Sequence, residues 1–343
     1  AAPAAELAEA AGGEEDEAEE EEEGAAAGGA GGVMKLAIMG LPNAGKSTLL
    51  NRLLGEERSL TGPEPGLTRD AVRASWMYGS QPVELVDTAG WIGVGDTASY
   101  DDVGGEVASM SRRAAFKSLA QVHVVLLVVD ARRALSSQRV LSRREISLAH
   151  SVIREGKALV VVANKADALS AHERKVYVEA LRRNLSERFL EAGHVPILQV
   201  SAREGQGVER LMPTVAELYG AWNKRVSTAR LNRFVQRLSL RMVGSGMDST
   251  IARIKFMAQV KSRPPTFNAF VSGSRQQPMP RNFEAFLAQQ IREVMGFQGV
   301  PVRIWFRYKE TRVERQKRLR ALAASRKTLG GAAAASAARE DAE

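Results

Sequence analysis

Gly40-Leu41-Pro42-Asn43-Ala44-Gly45-Lys46-Ser47 stands between the apolar run Lys35–Met39 and a stretch with helical periodicity. The whole fold can be read outward from it. A GxxxxGKS pattern that follows a strand and opens a helix is a phosphate-cradling loop. Small residues let backbone N–H groups wrap a β-phosphate, at a helix N-terminus whose dipole favours anions. In that geometry Lys46 reaches the β- and γ-phosphates and Ser47 offers its hydroxyl to Mg2+. Gly40, Asn43, Ala44, Gly45 and Thr48 complete the candidate cradle.

On either side of this loop, from Val33 to about Tyr219, apolar runs alternate with amphipathic stretches. The runs after Lys35–Met39 are Val83–Val86, Val122–Val129, Ala158–Ala163 and Pro196–Val200. Short apolar runs separated by helices argue an α/β fold with a mostly parallel sheet covered on both faces. A smaller α+β unit is expected from about Trp222 to Tyr308: helix Val226–Leu238, strands Ile251–Val260 and Thr266–Ser272, helix Arg281–Met295, strand Val302–Arg307. That order is compatible with a KH-like domain without being unique to one. The expected organisation is an acidic segment at 1–32, a nucleotide domain at 33–220, the KH-like unit at 221–310, and a basic, then Ala-rich tail at 311–343.

Charge separates these parts. The chain has 343 residues, 44% of them apolar, and a net charge of +8. Residues 1–32 hold 11 acidic and no basic side chains, a composition expected to stay disordered because it buries too little to offset ordering entropy. Residues 33–220 carry 24 basic against 21 acidic groups, 221–310 carry 16 against 4, and 311–329 carry 7 against 1. An excess confined to one domain and its tail is the footprint of a polyanion binder rather than of a uniformly basic surface. The chain has no cysteine, which excludes disulfides and cysteine zinc sites. Its apolar runs are too short to span a bilayer, so no membrane role is expected.

Asn164-Lys165-Ala166-Asp167 ends the Ala158–Ala163 run, at the strand end where open α/β sheets bind ligands. A carboxylate there accepts from N1–H and the exocyclic amine of guanine together. Adenine offers no such donor pair, so Asp167 is the candidate base reader; the plainer alternative is a helix N-cap. Ser201-Ala202, after Pro196–Val200, stands in register with a turn whose backbone meets the guanine edge. Asp87-Thr88-Ala89-Gly90 follows Val83–Val86, with Asp87 expected to hold Mg2+ through water and the Gly90 N–H to meet the γ-phosphate. Thr68, in the loop after the first helix, has a hydroxyl placed to complete the Mg2+ shell when GTP is bound, which would make that loop a switch. Trp91 occupies the position where many GTPases carry a water-orienting Gln, so water must be positioned by other groups.

The phrases GLPNAGKSTLLNRLLGEER, PGLTRD, VELVDTAG and VVLLVVDA resemble those of the Der (EngA) ribosome-assembly GTPases. More discriminating are Ala221–Thr228, Leu231-Asn232-Arg233, Gln259–Phe267 and Gly296–Arg303, which resemble that family's second GTPase domain and KH-like domain. The likeness covers about 33–308. It implies GTP hydrolysis coupled to large-subunit assembly, with GTP or GDP and Mg2+ as ligands. Large-subunit rRNA, ribosomal proteins and other assembly factors are the implied partners. Potassium is implied too: in the resembling family the Asn at position 43 is associated with activation by that ion. Here Asn43 either coordinates the cation beside the phosphates or only shapes the loop.

The family also implies two tandem GTPase domains joined by an acidic linker, whereas one such domain is present here. Residues 1–32 resemble the linker, so an upstream domain lies outside this chain or was lost in this lineage. Trp91–Asp96 replaces the family's basic residues after Asp-Thr-Ala-Gly, and Leu67 replaces a hydroxyl residue. Gly296–Gly299 matches GxxG, readable as a phosphate-gripping loop or as a helix cap with a turn. Two functions follow: a slow GTPase switch, or a GTP-holding rRNA-binding factor with vestigial catalysis. Roughly three Arg for each Lys and the absence of an initial Met point to a mitochondrial (organellar) matrix, with bacterial cytoplasm as the alternative.

Overall fold

The structure is a computed structural model that describes residues 32–61, 75–86, 119–133, 139–189, 192–244, 246–273 and 277–308. The described residues fall into two compact units. The first takes in those up to Val226 together with Val260–Thr266 and Ala285–Arg303. The second takes in Ser227–Gln259, Phe267–Glu284 and Ile304 to Tyr308.

The first unit is built on β1 (Met34–Gly40), α1 (Lys46–Thr61), β2 (Ser75–Tyr78), β3 (Gln81–Leu85) and β4 (Val124–Asp130). These are followed by α2 (Arg143–Arg154), β5 (Ala158–Asn164), α3 (Ala171–Arg188), β6 (Ile197–Val200) and α4 (Leu211–Asn223). The strands form one sheet in the order β2-β3-β1-β4-β5-β6, parallel except for the β2–β3 hairpin. β4 and β5 read Val-Val-Leu-Leu-Val-Val-Asp and Ala-Leu-Val-Val-Val-Ala-Asn. Nearly every side chain is buried, as interior parallel strands covered on both faces require. Alternation sorts them. Val125, Leu127, Leu159 and Val161 pack with Val152 of α2 and Leu181 of α3. Leu126, Val128, Val160 and Val162 pack on the other side with Leu49 and Leu53 of α1 and Val215 of α4. Two residues per period put consecutive side chains on opposite faces, so one strand serves both cores.

β1 is the pivot of this sheet. Ile38 pairs with Leu126 of β4 on one side, while Leu36 pairs with Leu85 of β3 on the other. The order therefore reverses at β1, and the crevice beyond the carboxyl ends of the strands opens where the Gly40–Ser47 loop begins. The edge strand β2 was not foreseen. Its sequence, Ser-Trp-Met-Tyr, is half exposed and too short to carry a period, and the Gly79-Ser80 turn is what returns it alongside β3.

The second unit holds α5 (Thr228–Arg241), the short α6 (Asp248–Ile251) and most of the three strands β7 (Ile254–Ser262), β8 (Pro265–Val271) and β9 (Arg303–Tyr308), in sheet order β7-β8-β9. α7 (Arg281–Met295) runs between β8 and β9 in sequence. α5 buries Leu231, Phe234, Val235 and Leu238, one stripe at helical spacing. Its Asn232 side chain donates to the Met257 carbonyl at 3.0 Å and accepts from the Met257 N–H at 3.0 Å, acting as a peptide unit would toward β7. The expected strand from Ile251 begins only at Ile254, because Asp248–Ile251 turns as a short helix. Gly296, at φ +70°, closes α7: the Phe297 N–H donates to the Arg292 carbonyl at 2.9 Å, a Schellman-type cap. A side chain at Gly299 would meet Leu218 at 2.7 Å. The GxxG motif is thus a helix cap followed by a packed turn, without the open loop that gripping a phosphate needs.

Candidate functional site

Three loops at the carboxyl end of the sheet are tied together by a single side chain. Asn164, the last residue of β5, is 2% exposed. Its Nδ2 donates to the Ala44 carbonyl of the first loop at 2.8 Å. Its Oδ1 accepts from the Ala202 N–H, in the loop after β6, at 3.0 Å. An amide is suited to this because it offers a donor and an acceptor on one planar end. Gly45 has φ +94°, and a Cβ there would stand 2.2 Å from the Asn164 Nδ2, so the bridge requires glycine at that position twice over.

Lys165 extends the same connection. At φ +63° it turns its ammonium back to the Asn43 carbonyl and to the Asp130 Oδ2 at 2.6 Å. Asp130 ends β4 in register with Asn164. Burial works against its charge, but hydrogen bonds from Arg132 and Lys165 outweigh that and hold the carboxyl below the usual carboxylate range. Sequence reasoning passed over Asp130. Its signal was there in a carboxylate closing an otherwise wholly apolar strand. Arg52 of α1 was also missed: its guanidinium donates to the Arg203 carbonyl at 2.7 Å and so fastens the first helix to the loop after β6. Nothing in its helical spacing marks it.

Lys46 is 8% exposed and donates to the carbonyls of Gly40 at 3.0 Å and Leu41 at 2.8 Å, across the mouth of the loop. Ser47 and Thr48 are exposed in the first turn of α1, and Asn43 is exposed at the crest of the loop, at φ +61°. Asp167 is exposed in the short 3-10 turn Ala166–Ala168. The cap on the following helix falls to Ser170, whose hydroxyl and the Glu173 carboxylate form a reciprocal capping box. Asp167 is thereby released from the N-cap role. Ser201 and Ala202 are buried in a turn closed by the Gly205 N–H on the Ser201 carbonyl at 2.8 Å. The structure thus brings Asn43, Ala44, Gly45, Lys46, Asn164, Lys165 and Ala202 into one network, with Asp167 three residues beyond its central Asn164. Thr68, Asp87 and Gly90 lie outside the described residues.

The donor set suits a hard cation: the exposed Ser47 hydroxyl stands at the phosphate-binding helix start, and no group of three or more His, Cys, Asp or Glu gathers elsewhere among the described residues. A cation held there would draw on the Ser47 hydroxyl and the phosphates themselves, as Mg2+ does in nucleotide sites.

The strand order, the loop and the Asn164 bridge define a P-loop GTPase domain, followed by a KH-like domain. A family model described as "50S ribosome-binding GTPase" matches residues 35–165, and one described as "KH-domain-like of EngA bacterial GTPase enzymes, C-terminal" matches 225–307. The chain is 36% identical over 281 residues to the GTPase Der of Novosphingobium aromaticivorans, covering 80% of this chain and 58% of that protein. It is 35% identical over 274 residues to the GTPase Der of Parvibaculum lavamentivorans, covering 80% of this chain and 54% of that protein. By sequence it belongs to the Der family of GTPases, and it spans about half the length of the curated relatives it matches. Those relatives are bacterial. Among the described residues no helix is long and apolar enough to cross a membrane.

Proposed function

We propose that this chain binds and hydrolyses GTP as an assembly factor of the large ribosomal subunit, contacting rRNA through its KH-like domain and basic tail. The observation that carries the nucleotide part is the Asn164 bridge, which holds the phosphate loop and the base loop at fixed separation. In this reading Asp167 accepts from the guanine edge, and the Lys165 stem, held by Asp130, lies along the base. The N–H groups of the loop and the Lys46 ammonium meet the phosphates, with Gly40, Asn43, Ala44, Gly45 and Thr48 lining the cradle. Mg2+, when bound, offsets charge on the β- and γ-oxygens. Ser47 and Thr68 would hold it, with Asp87 acting through water, and the Gly90 N–H would meet the γ-phosphate. Asn43, exposed at the crest of the loop, would hold K+, which would supply the positive charge an arginine finger gives elsewhere, where Trp91 leaves no glutamine.

Ribosomal proteins and other assembly factors are the further partners, and the matrix of an organelle is the proposed location. The family descriptions and the charge excess of 221–329 support the ribosomal part. The second reading, GTP-holding with vestigial catalysis, is favoured by Trp91 and by the altered Trp91–Asp96 stretch after Asp-Thr-Ala-Gly. Single-turnover GTP hydrolysis, measured with and without large ribosomal subunits, separates the two. Turnover that rises with subunits supports the switch. Bound but unhydrolysed GTP in both conditions leaves the structural factor.

A further inference from the structure

The second unit's sheet has one face turned to its core and one that is not. On β8, Phe267, Ala269 and Val271 are buried, so Asn268 and Phe270 point the other way. The Arg307 Nε of β9 donates to the Asn268 Oδ1 at 3.3 Å, which puts Arg307, and with it Trp305 two residues earlier, on that same outer face. Phe256 of β7 joins them: its ring centroid lies 5.7 Å from that of Phe270, with the planes inclined at 50°. The three rings are 42%, 43% and 39% exposed for Phe256, Phe270 and Trp305. The Arg307 guanidinium stands 5.4 Å over the Trp305 ring. Large apolar side chains gathered on one open face mark a binding surface rather than ordinary exposure.

We propose that this face is a stacking platform for single-stranded RNA, in which Phe256, Phe270 and Trp305 carry successive bases and Arg307 meets the backbone between them. The proposal rests on the reading of the chain as an RNA binder and names where the bases sit. Charge selects this occupant. The unit that carries the face is strongly cationic: residues 227–259, 267–284 and 304–308 hold nine basic against two acidic side chains, and Arg307 stands among the rings. Rings on adjacent strands, spaced by the sheet and interleaved with arginine, are how a β-surface takes unstacked bases without reading their sequence. The packed turn at Gly296–Gly299 leaves this sheet face, rather than a glycine loop, to engage the strand.

The test uses the full chain and a short oligouridylate, with affinity followed by fluorescence anisotropy over a salt series. Phe270→Leu and Trp305→Leu keep apolar bulk but lose the ring. Each is expected to weaken binding about tenfold with an unchanged salt slope, because stacking releases no counterions. Arg307→Gln is expected to lower the log–log slope by about 0.7, one single-strand phosphate contact. A backbone of equal length without bases should bind the parent and the Leu variants alike, since rings without bases have nothing to stack. Leu variants that bind oligouridylate as the parent does overturn the platform and leave the RNA-binding reading standing. A parent chain that binds no RNA overturns both.

Discussion

Asp167 and Asn43 are the two exposed side chains on which the nucleotide reading turns, and both can be tested without disturbing the network behind them. Asp167→Asn replaces two acceptor oxygens by an amide that presents a donor where guanine also donates. Sites built to hydrogen-bond a particular edge reject the mismatched one strongly. GTP affinity is expected to fall by about 100-fold or more while xanthosine triphosphate affinity rises, read by displacement of a fluorescent nucleotide. Unchanged GTP affinity would remove Asp167 from the site. Asn43 contributes its backbone carbonyl to Lys165 and leaves its side chain exposed. At equal ionic strength and saturating GTP, turnover in potassium chloride should exceed turnover in sodium chloride by about a hundredfold or more, of the order a well-placed transition-state charge gives. Asn43→Ala should abolish that difference with GTP affinity kept, because Lys46 and the loop amides remain. Equal parental rates in the two salts would sink the cation role.

Where β4 begins, one imidazole links strand to helix. The His123 Nδ1 accepts from the Lys35 N–H of β1 at 3.1 Å, and the ring stacks on Tyr219 and lies against Trp222 of α4, centroids 5.4 and 5.2 Å away. Burial first, and then the charges of Arg263, Lys157 and Lys35, bring its pKa from 6.5 down to about 4. The unfolded chain therefore takes up a proton below pH 6.5 that the folded chain refuses until about 4. Stability is full above that window and declines as pH falls through it, by at most about 1.4 kcal/mol per pH unit, lessened because the ring is partly solvated. His123→Gln retains an acceptor for Lys35 but cannot titrate. Denaturant unfolding of the variant should lose this part of the slope between pH 6.5 and 4. A slope identical to the parent's would show that the proton is taken up elsewhere.

Across the chain, charge is divided more sharply than the net +8 suggests, with an acidic segment at 1–32 and the excess of base at 221–329. If rRNA is met mainly through phosphates, affinity must fall steeply with salt, and the slope counts the contacts. Removing 311–343 takes away 8 basic and 4 acidic side chains, 7 of the basic ones lying in 311–329. The shortened chain is expected to bind rRNA fragments more weakly at low salt and with a slope reduced by several units, measured by filter binding. An affinity independent of salt would contradict a phosphate-led interface.

What the amino-acid order determined alone was the kind of domain and the residues at its mouth. GxxxxGKS after a strand, NKxD at a later strand end and period-2 apolar runs are local signals. Their physics lies in loop sterics, a helix dipole and alternation along one strand, none of which needs a distant partner. The bounds of α7, Arg281–Met295, were legible for the same reason. Only the tertiary structure decided that Asn164 joins Ala44 to Ala202, residues 120 and 38 positions away. It likewise decided that Asp130 answers Lys165, that β2 adds an antiparallel edge, and that Gly296–Gly299 is a cap rather than a loop. Each depends on which backbone atoms the fold brings within hydrogen-bond reach, and no periodicity records that. The outer face of β7-β8-β9 belongs to the same class: Phe256, Phe270 and Trp305 lie far apart in sequence, and only the sheet's pairing makes them one surface.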